Sequence, residues 1–262
     1  MAINEDLNCI YEDLTHRLNH PYVHQYLSEP VIDGDKLLVY YLLFRENGKY
    51  KDIGEYVSSV MFAEVGLDTH EKMTIENLDE KKEIRSRQLV VLAGDFYSSL
   101  YYFSLSRQGD IQMVKWIAEA IQEFNVHKCH LFYPSDSLNW EQKYAALERI
   151  ESALVTKIAA KLGFLEWVPA LSDYFLFKRL TIERNCFLHK SRDFSLLFHI
   201  FKNQTMNRTL LLKALDEKIK AIRKRFLGYS AKKQTLSASF YKLLQHFTNK
   251  MNDFCQCMVE EG

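Results

Sequence analysis

A chain of 262 residues is long enough to bury a sizeable core, and its 34 basic side chains are matched by 34 acidic ones, so no net field draws it to nucleic acid or to an acidic substrate. Nine glycines and four prolines favour helix over strand, and no apolar run reaches the ~20 residues needed to cross a bilayer. Cys9, Cys129, Cys186, Cys255 and Cys257 form no paired framework, and acids stand where a signal peptide needs a basic then apolar run, so a reducing, cytoplasmic setting is expected.

Leu7, Ile10, Tyr11, Leu14 and Leu18 recur at helical spacing and predict a first helix that stops before His20-Pro21. Asp35 is expected to cap a second helix carrying Leu38, Tyr41 and Leu42 and ending near Asn47-Gly48. A third starts near Asp52, and its stripe of Tyr56, Val60, Ala63 and Leu67 leads to the tetrad Asp68-Thr69-His70-Glu71. Residues 77–86 are densely charged and read as a loop. From about Ser86 to Ser106 runs the most apolar helix. Leu89, Leu92, Ala93, Phe96, Leu100 and Phe103 trace one face and Val90, Tyr97, Tyr101 and Leu105 another, which predicts cover on both sides.

Gly109-Asp110 breaks that helix, and the next, with Met113, Val114, Ile117 and Ile121, reaches about His127. After a turn at Pro134-Ser135-Asp136, a helix from Trp140 to Leu162 ends at Gly163. Tyr174, Phe175 and Phe177 mark a buried wall on a helix over 170–180. Beyond Thr205 the chain is more basic and less aromatic, with helices expected over 206–227 and 235–259. No Gly/Ser linker or internal repeat interrupts it. One all-α domain over 1–262 is expected, with 205–262 a candidate C-terminal helical appendage.

The Gly94-Asp95 pair, followed by a long apolar helix, resembles the Gly-Asp helix of trans-prenyl diphosphate synthases. Together with the Asp68–Glu71 tetrad, Asn19-His20-Pro21-Tyr22, Asp35-Lys36-Leu37-Leu38, Arg87-Gln88-Leu89 and the run from Asp173 to Leu180, it resembles component 1, the small subunit of bacterial heptaprenyl diphosphate synthases, over roughly residues 17–190. That resemblance implies an all-α isoprenoid synthase-like bundle in a heteromer. A larger, catalytic subunit would carry both aspartate-rich motifs and the Mg²⁺, so this chain would bind no cofactor of its own. Together the two would extend farnesyl diphosphate with isopentenyl diphosphate to the heptaprenyl product that becomes a menaquinone side chain. The Gly-Asp region packs across the subunit contact in that fold, which makes Gly94, Asp95, Tyr97 and Tyr101 interface candidates. Asp68, His70, Arg85 and Arg87 are the substrate-binding candidates.

A catalytic chain of this fold needs aspartates on two facing helices, because only bridging Mg²⁺ held by carboxylates steadies a departing diphosphate. With His70 aligned to the histidine before the first motif, Glu71, Lys72 and Ile75 stand where three aspartates belong. The stretch from Ile150 to Gly163 resembles the Lys-Thr-Ala helix, with Glu151 in place of the lysine that holds the allylic diphosphate. Over the second motif, Arg179, Leu180 and Glu183 replace three aspartates. No catalytic residue and no metal ligand is assigned to this chain.

Other readings stand beside these. Glu64, Asp68 and Glu71 share one helical face and suit either a displaced Mg²⁺ site or a polar cluster paired with Lys72 or Arg85. His70 suits a substrate contact or an ordinary cap. Asp95, inside so apolar a helix, demands a partner, and Gly94 suggests a close helix approach. Tyr97, Tyr101, Tyr102 and Phe103 suit an isoprenoid tunnel, or core and interface. His127, Cys129 and His130 lack a fourth zinc ligand at usual spacing. The basic run Lys218 to Arg225, with Lys232 and Lys233, fits a solvated face or peripheral contact with anionic membrane lipid. Three functions remain open: an accessory subunit, a standalone Mg²⁺-dependent isoprenoid enzyme built on Glu64, Asp68 and Glu71, and a helical interaction module without isoprenoid chemistry.

Overall fold

A computed structural model describes residues 2–72, 81–132, 138–188, 208–230 and 237–260, and every regular element among them is a helix. In chain order these are α1 (Ala2–Leu18), α2 (Pro21–His24), α3 (Gly34–Asn47), α4 (Ile53–Glu71), α5 (Lys81–Gln108), α6 (Ile111–Phe132), α7 (Trp140–Lys161), α8 (Val168–Leu188), α9 (Arg208–Ser230) and α10 (Ala238–Glu260). None of the described helices is long and apolar enough to cross a membrane.

Local chemistry sets the ends. Pro21 occupies the first turn of α2, where its missing N–H costs nothing. Asp33, and not Asp35, caps α3: its carboxylate accepts from the backbone N–H of Asp35 and Lys36, while Asp35 lies buried inside the first turn. Gly48, at φ 69°, closes the same helix in the left-handed region that a side chain would resist. The start of α4, expected near Asp52, is fixed by Asp52 itself, whose carboxylate accepts from the Glu55 N–H.

Residues 81–86, expected as loop, form the start of α5, because the lysines, glutamate and arginine there are good helix formers whatever their charge. The turn expected at Pro134-Ser135-Asp136 and the start of the basic region at Thr205 lie outside the described residues. The expected helix over 170–180 runs on to Leu188, and the one expected to end near His127 continues to Phe132.

The chain packs as two units, Met1–Ile121 with Lys157–Gly163, and Gln122–Thr156 with Phe164–Gly262. In the first, α4 is the central helix. Its Val57, Val60, Met61, Phe62, Ala63 and Val65 are buried with Val39, Leu43 and Phe44 of α3 and Leu14 and Leu18 of α1. Each large aliphatic or aromatic side chain so buried contributes about 1.5–3 kcal/mol. Arg17 of α1 ties the group together: it holds Glu55 through two hydrogen bonds, at 2.7 and 3.0 Å, and lies over the Phe62 ring.

Where α4 crosses α5, Gly66 and Gly94 bring the helices close. A Cβ on Gly66 would lie 3.2 Å from the Gly94 carbonyl oxygen and 3.1 Å from the Ser98 nitrogen. The close approach expected of Gly94 is therefore met on α4 by a second glycine. The expected double cover of α5 is met on one side only. Val90, Ala93, Tyr97 and Leu105 are buried, while Leu92, Tyr102 and Phe103 are exposed by 62%, 60% and 58%.

The second unit is organised by aromatic stacking. The Trp167 ring lies 4.2 Å from that of Phe240, and Tyr174 stacks on Phe247 at 3.6 Å. Phe226 of α9 joins them, so α8, α9 and α10 share one core, and the wall expected from Tyr174, Phe175 and Phe177 is buried.

Candidate functional site

The candidate site in the first unit lies on the C-terminal half of α4. Glu64 is buried and both its oxygens are engaged: Lys36 Nζ donates to Oε2 at 2.6 Å, and the Tyr40 hydroxyl donates to Oε1. Burial and the adjoining Glu64 carboxylate hold the Tyr40 phenol well above its ordinary pKa, so it remains a donor. Asp68 follows one turn later. Burial pushes its carboxyl up to about 6; Lys36 opposes this, and Glu64, Glu71 and Asp33 reinforce it by repulsion. The partner of Glu64 is thus Lys36 on α3, and not Lys72 or Arg85.

His70, in the last turn of α4, lies against α5. A Cβ on Gly94 would come within 2.6 Å of its ring, and its Nε2 is 3.3 Å from Asp95 Oδ1. Asp95 does have a neighbour, but it is no buried charge: it points outward and is 68% exposed. Tyr97 is buried, Tyr101 is half-buried, and Tyr102 and Phe103 face out, so the aromatic run divides between core and surface. Arg85 is exposed and Arg87 half-buried in the first turns of α5. Leu27, Ser28, Pro30, Thr69, Lys72, Val90, Ala93 and Tyr97 line a small cleft beside them.

In the second unit the side chains at the positions that the sequence reading set against the family's charged motifs meet one another. Arg179 donates to Glu183 at 2.8 Å along α8 and to Glu151 of α7 at 2.9 Å. Glu183 is almost wholly buried, so its charge requires this guanidinium. One residue on, Arg184 holds Asp216 of α9 at 2.7 Å. Asp173, also buried, accepts from Arg225 Nε, at 2.7 Å to Oδ2 and 3.0 Å to Oδ1, from Arg225 Nη2 at Oδ1, and from the Tyr229 hydroxyl at 3.1 Å. Arg225 makes that contact while its side chain stays 52% exposed, so it remains on the basic face, and Lys218 on the same helix reaches Glu141 at 2.7 Å.

Mg²⁺, which the fold implied by the sequence uses, does not fit these donors. Glu64 is occupied by an ammonium and a phenol, and Glu183 and Glu151 by a guanidinium. Among the described residues no three His, Cys, Asp or Glu side chains are grouped to hold a metal ion. His127 and His130 approach to 6.3 Å between ring centroids, and burial, aided by Arg149, lowers the His127 pKa.

Sequence reasoning did not foresee the pairing of Lys36 and Tyr40 with Glu64, or of Arg225 and Tyr229 with Asp173. A lone ammonium opening the apolar run from Leu37 to Phe44 was the available signal for the first, since such a charge must find an acid.

Comparison with known proteins agrees with this geometry. The family model for heptaprenyl diphosphate synthase (HEPPP synthase) subunit 1 matches residues 20–228. Heptaprenyl diphosphate synthase component 1 of Geobacillus stearothermophilus is 37% identical over 132 residues, which is 50% of this chain and 58% of that protein, so the match spans little more than half the relative's length. A decaprenyl diphosphate synthase from Rhodobacter capsulatus superposes with a TM-score of 0.65 at 14% identity, covering 97% of each chain. Heptaprenyl diphosphate synthase from Staphylococcus aureus does so with 0.63 at 12% identity, covering 95% of this chain and 98% of that one. At such identities the likeness is one of fold, the all-α trans-prenyltransferase fold. On the family match the chain belongs to the heptaprenyl diphosphate synthase subunit 1 family.

Proposed function

We propose that this chain is the accessory subunit of a heteromeric heptaprenyl diphosphate synthase. It pairs with a larger catalytic chain that holds Mg²⁺ between two aspartate-rich motifs. The complex extends farnesyl diphosphate with isopentenyl diphosphate and supplies a menaquinone side chain in the cytoplasm. The isolated chain is inactive.

The observation that carries this reading is the closed ion network of Arg179 with Glu151 and Glu183, the residues aligned with the diphosphate-binding lysine and the second aspartate motif. A site that must grip a metal–diphosphate complex needs carboxylates turned to a shared cation and a spare cation for the phosphate. Here each of these groups already satisfies another.

The exposed face of α5 supports pairing. Leu92, Tyr102 and Phe103 form an apolar surface with Asp95 beside it, which a partner helix would cover. Gly94 and Tyr97 shape that helix from its buried side, and Tyr101 lies between the two. In the same reading Arg85 and Arg87 offer cations to a diphosphate held by the partner, and Asp68 and His70 complete that part of the unit.

A mixing assay tests the proposal. Purified chain with farnesyl diphosphate, isopentenyl diphosphate and Mg²⁺ should give no product, and adding the catalytic subunit should give heptaprenyl diphosphate. Turnover by the chain alone, abolished by Asp68→Asn, would instead establish a standalone enzyme. Failure to bind either prenyl diphosphates or a synthase subunit would leave a helical interaction module.

A further inference from the structure

The chain as a whole is electrically neutral, but α9 is not: it carries seven basic side chains against two acidic ones. Its inner face is apolar, with Leu211, Leu215, Ile219, Ile222 and Phe226 buried in the core of the second unit. Several of its charges are used to hold it there. Lys218 reaches Glu141, Arg225 reaches Asp173, Arg223 donates to Asn252 and Asp216 accepts from Arg184. What remains is one stripe. Leu210, Lys213, Glu217, Lys220, Lys224 and Leu227 follow one another at steps of three and four residues, so they share the helix face turned away from the core, and all six are exposed. Among the described residues Lys213, Lys220 and Lys224 make no hydrogen bond or ion pair, so the cohesion of the unit does not account for them.

We infer that this stripe docks the chain on an anionic lipid surface, with α9 lying flat, its lysines toward the headgroups and Leu210 and Leu227 dipping between them. At 1.5 Å per residue the three lysines span about 16 Å and the two leucines about 25 Å. The outer ridge of a helix is convex and encloses no small ligand, and a compact anion would meet one of these cations at a time. A plane of phosphate headgroups meets the whole row at once. The cations are lysines, flexible point charges that suit a diffuse field; recognition of a single phosphate favours the planar fork of arginine. Leucines at both ends of the row add apolar contact at headgroup depth, as in helices that lie along a membrane. A nucleic-acid backbone would use the lysines and leave Leu210 and Leu227 in water, whereas a lipid surface uses both. None of the described helices crosses a membrane, so the contact is peripheral. The inference does not depend on the accessory role proposed above, because it concerns the surface of one helix of this chain.

Co-sedimentation of the full chain with vesicles of phosphatidylcholine, alone or mixed with phosphatidylglycerol, tests this. The unaltered chain should bind the mixed vesicles, leave the neutral ones and be released by high salt. Lys213→Gln/Lys220→Gln/Lys224→Gln should bind about a hundred-fold more weakly, at about five-fold for each lysine near an anionic surface. Leu210→Ser/Leu227→Ser should also bind more weakly, with its salt dependence unchanged. Lys49→Gln/Lys51→Gln/Lys115→Gln removes the same charge from exposed positions of the first unit and should bind as the unaltered chain does. All these positions are exposed, and circular dichroism of each variant checks that the helices are kept. Absence of binding to the mixed vesicles would overturn the inference, and so would equal losses in the two lysine triples, which would make net charge the only cause. A labelled single-stranded oligonucleotide bound through Lys213, Lys220 and Lys224, with the leucine variant unaffected on vesicles, would assign the stripe to nucleic acid instead.

Discussion

Replacing Asp68 by Asn should stabilise the protein at neutral pH, although it deletes a neighbour of Lys36. Burial first, and then the repulsion of Glu64, Glu71 and Asp33, oppose the Asp68 charge, while Lys36 favours it; the net effect lifts the carboxyl from 3.8 to about 6. The folded state therefore binds this proton more tightly than the unfolded state. Stability from Asp68 is fully present below about pH 4, falls between about 4 and 6, and stays lost above. A shift of about two pK units, at 1.36 kcal/mol each, sets the loss at pH 7 at about 3 kcal/mol, and relaxation of the partly exposed side chain reduces it to about 1–3 kcal/mol. Asn keeps the shape and removes the charge. Urea unfolding followed by circular dichroism from pH 4 to pH 8 should show the Asn variant 1–3 kcal/mol more stable at pH 7 and the two proteins converging near pH 4. Parallel curves with a constant offset, or a variant less stable at pH 7, would show that Lys36, and not burial and repulsion, governs Asp68.

The crossing of α4 and α5 should discriminate between its two glycines. Gly66→Ala meets backbone at 3.1 and 3.2 Å and should lose about 1–2 kcal/mol even after its gain in helix propensity, whereas Gly94→Ala meets only the movable His70 ring and should lose less; urea melts that reverse this order would refute the packing argument. Arg179→Met leaves Glu183 buried without its guanidinium and should cost about 3–5 kcal/mol, while neutralising Glu151, Arg179 and Glu183 together should cost far less; equal losses in the two variants would deny that the network acts as a unit. Tyr101→Asp places a charge beside the apolar surface of α5 and should prevent assembly with the catalytic subunit, so an unchanged sedimentation profile of the mixture would remove α5 from the contact.

Much of the local architecture was legible along the chain, because the physics of helix ends is local. Asp52, Gly48, Gly109 and Gly163 act within a few residues of themselves, through a cap bond or a left-handed φ. The error at Asp35 was of the same kind: two aspartates stand near the start of α3, and only the backbone path decides which carboxylate reaches the free N–H groups. Charge density misled at residues 81–86, since lysine, glutamate and arginine are good helix formers whatever their charge.

The amino-acid sequence by itself determined the helical class, most helix boundaries and the family. Those depend on composition, spacing and residue identity. Only the tertiary structure decided where the charges went. Lys36 reaches Glu64 across 28 residues, as Arg179 reaches Glu151, and Arg225 reaches Asp173 across 52. Periodicity says which side chains share a helical face but not which face turns to solvent, so Asp95, expected to need a partner within so apolar a helix, is found 68% exposed beside His70. A buried charge must find its counter-charge somewhere, and that place is chosen by how helices pack in three dimensions, not by their order in the chain.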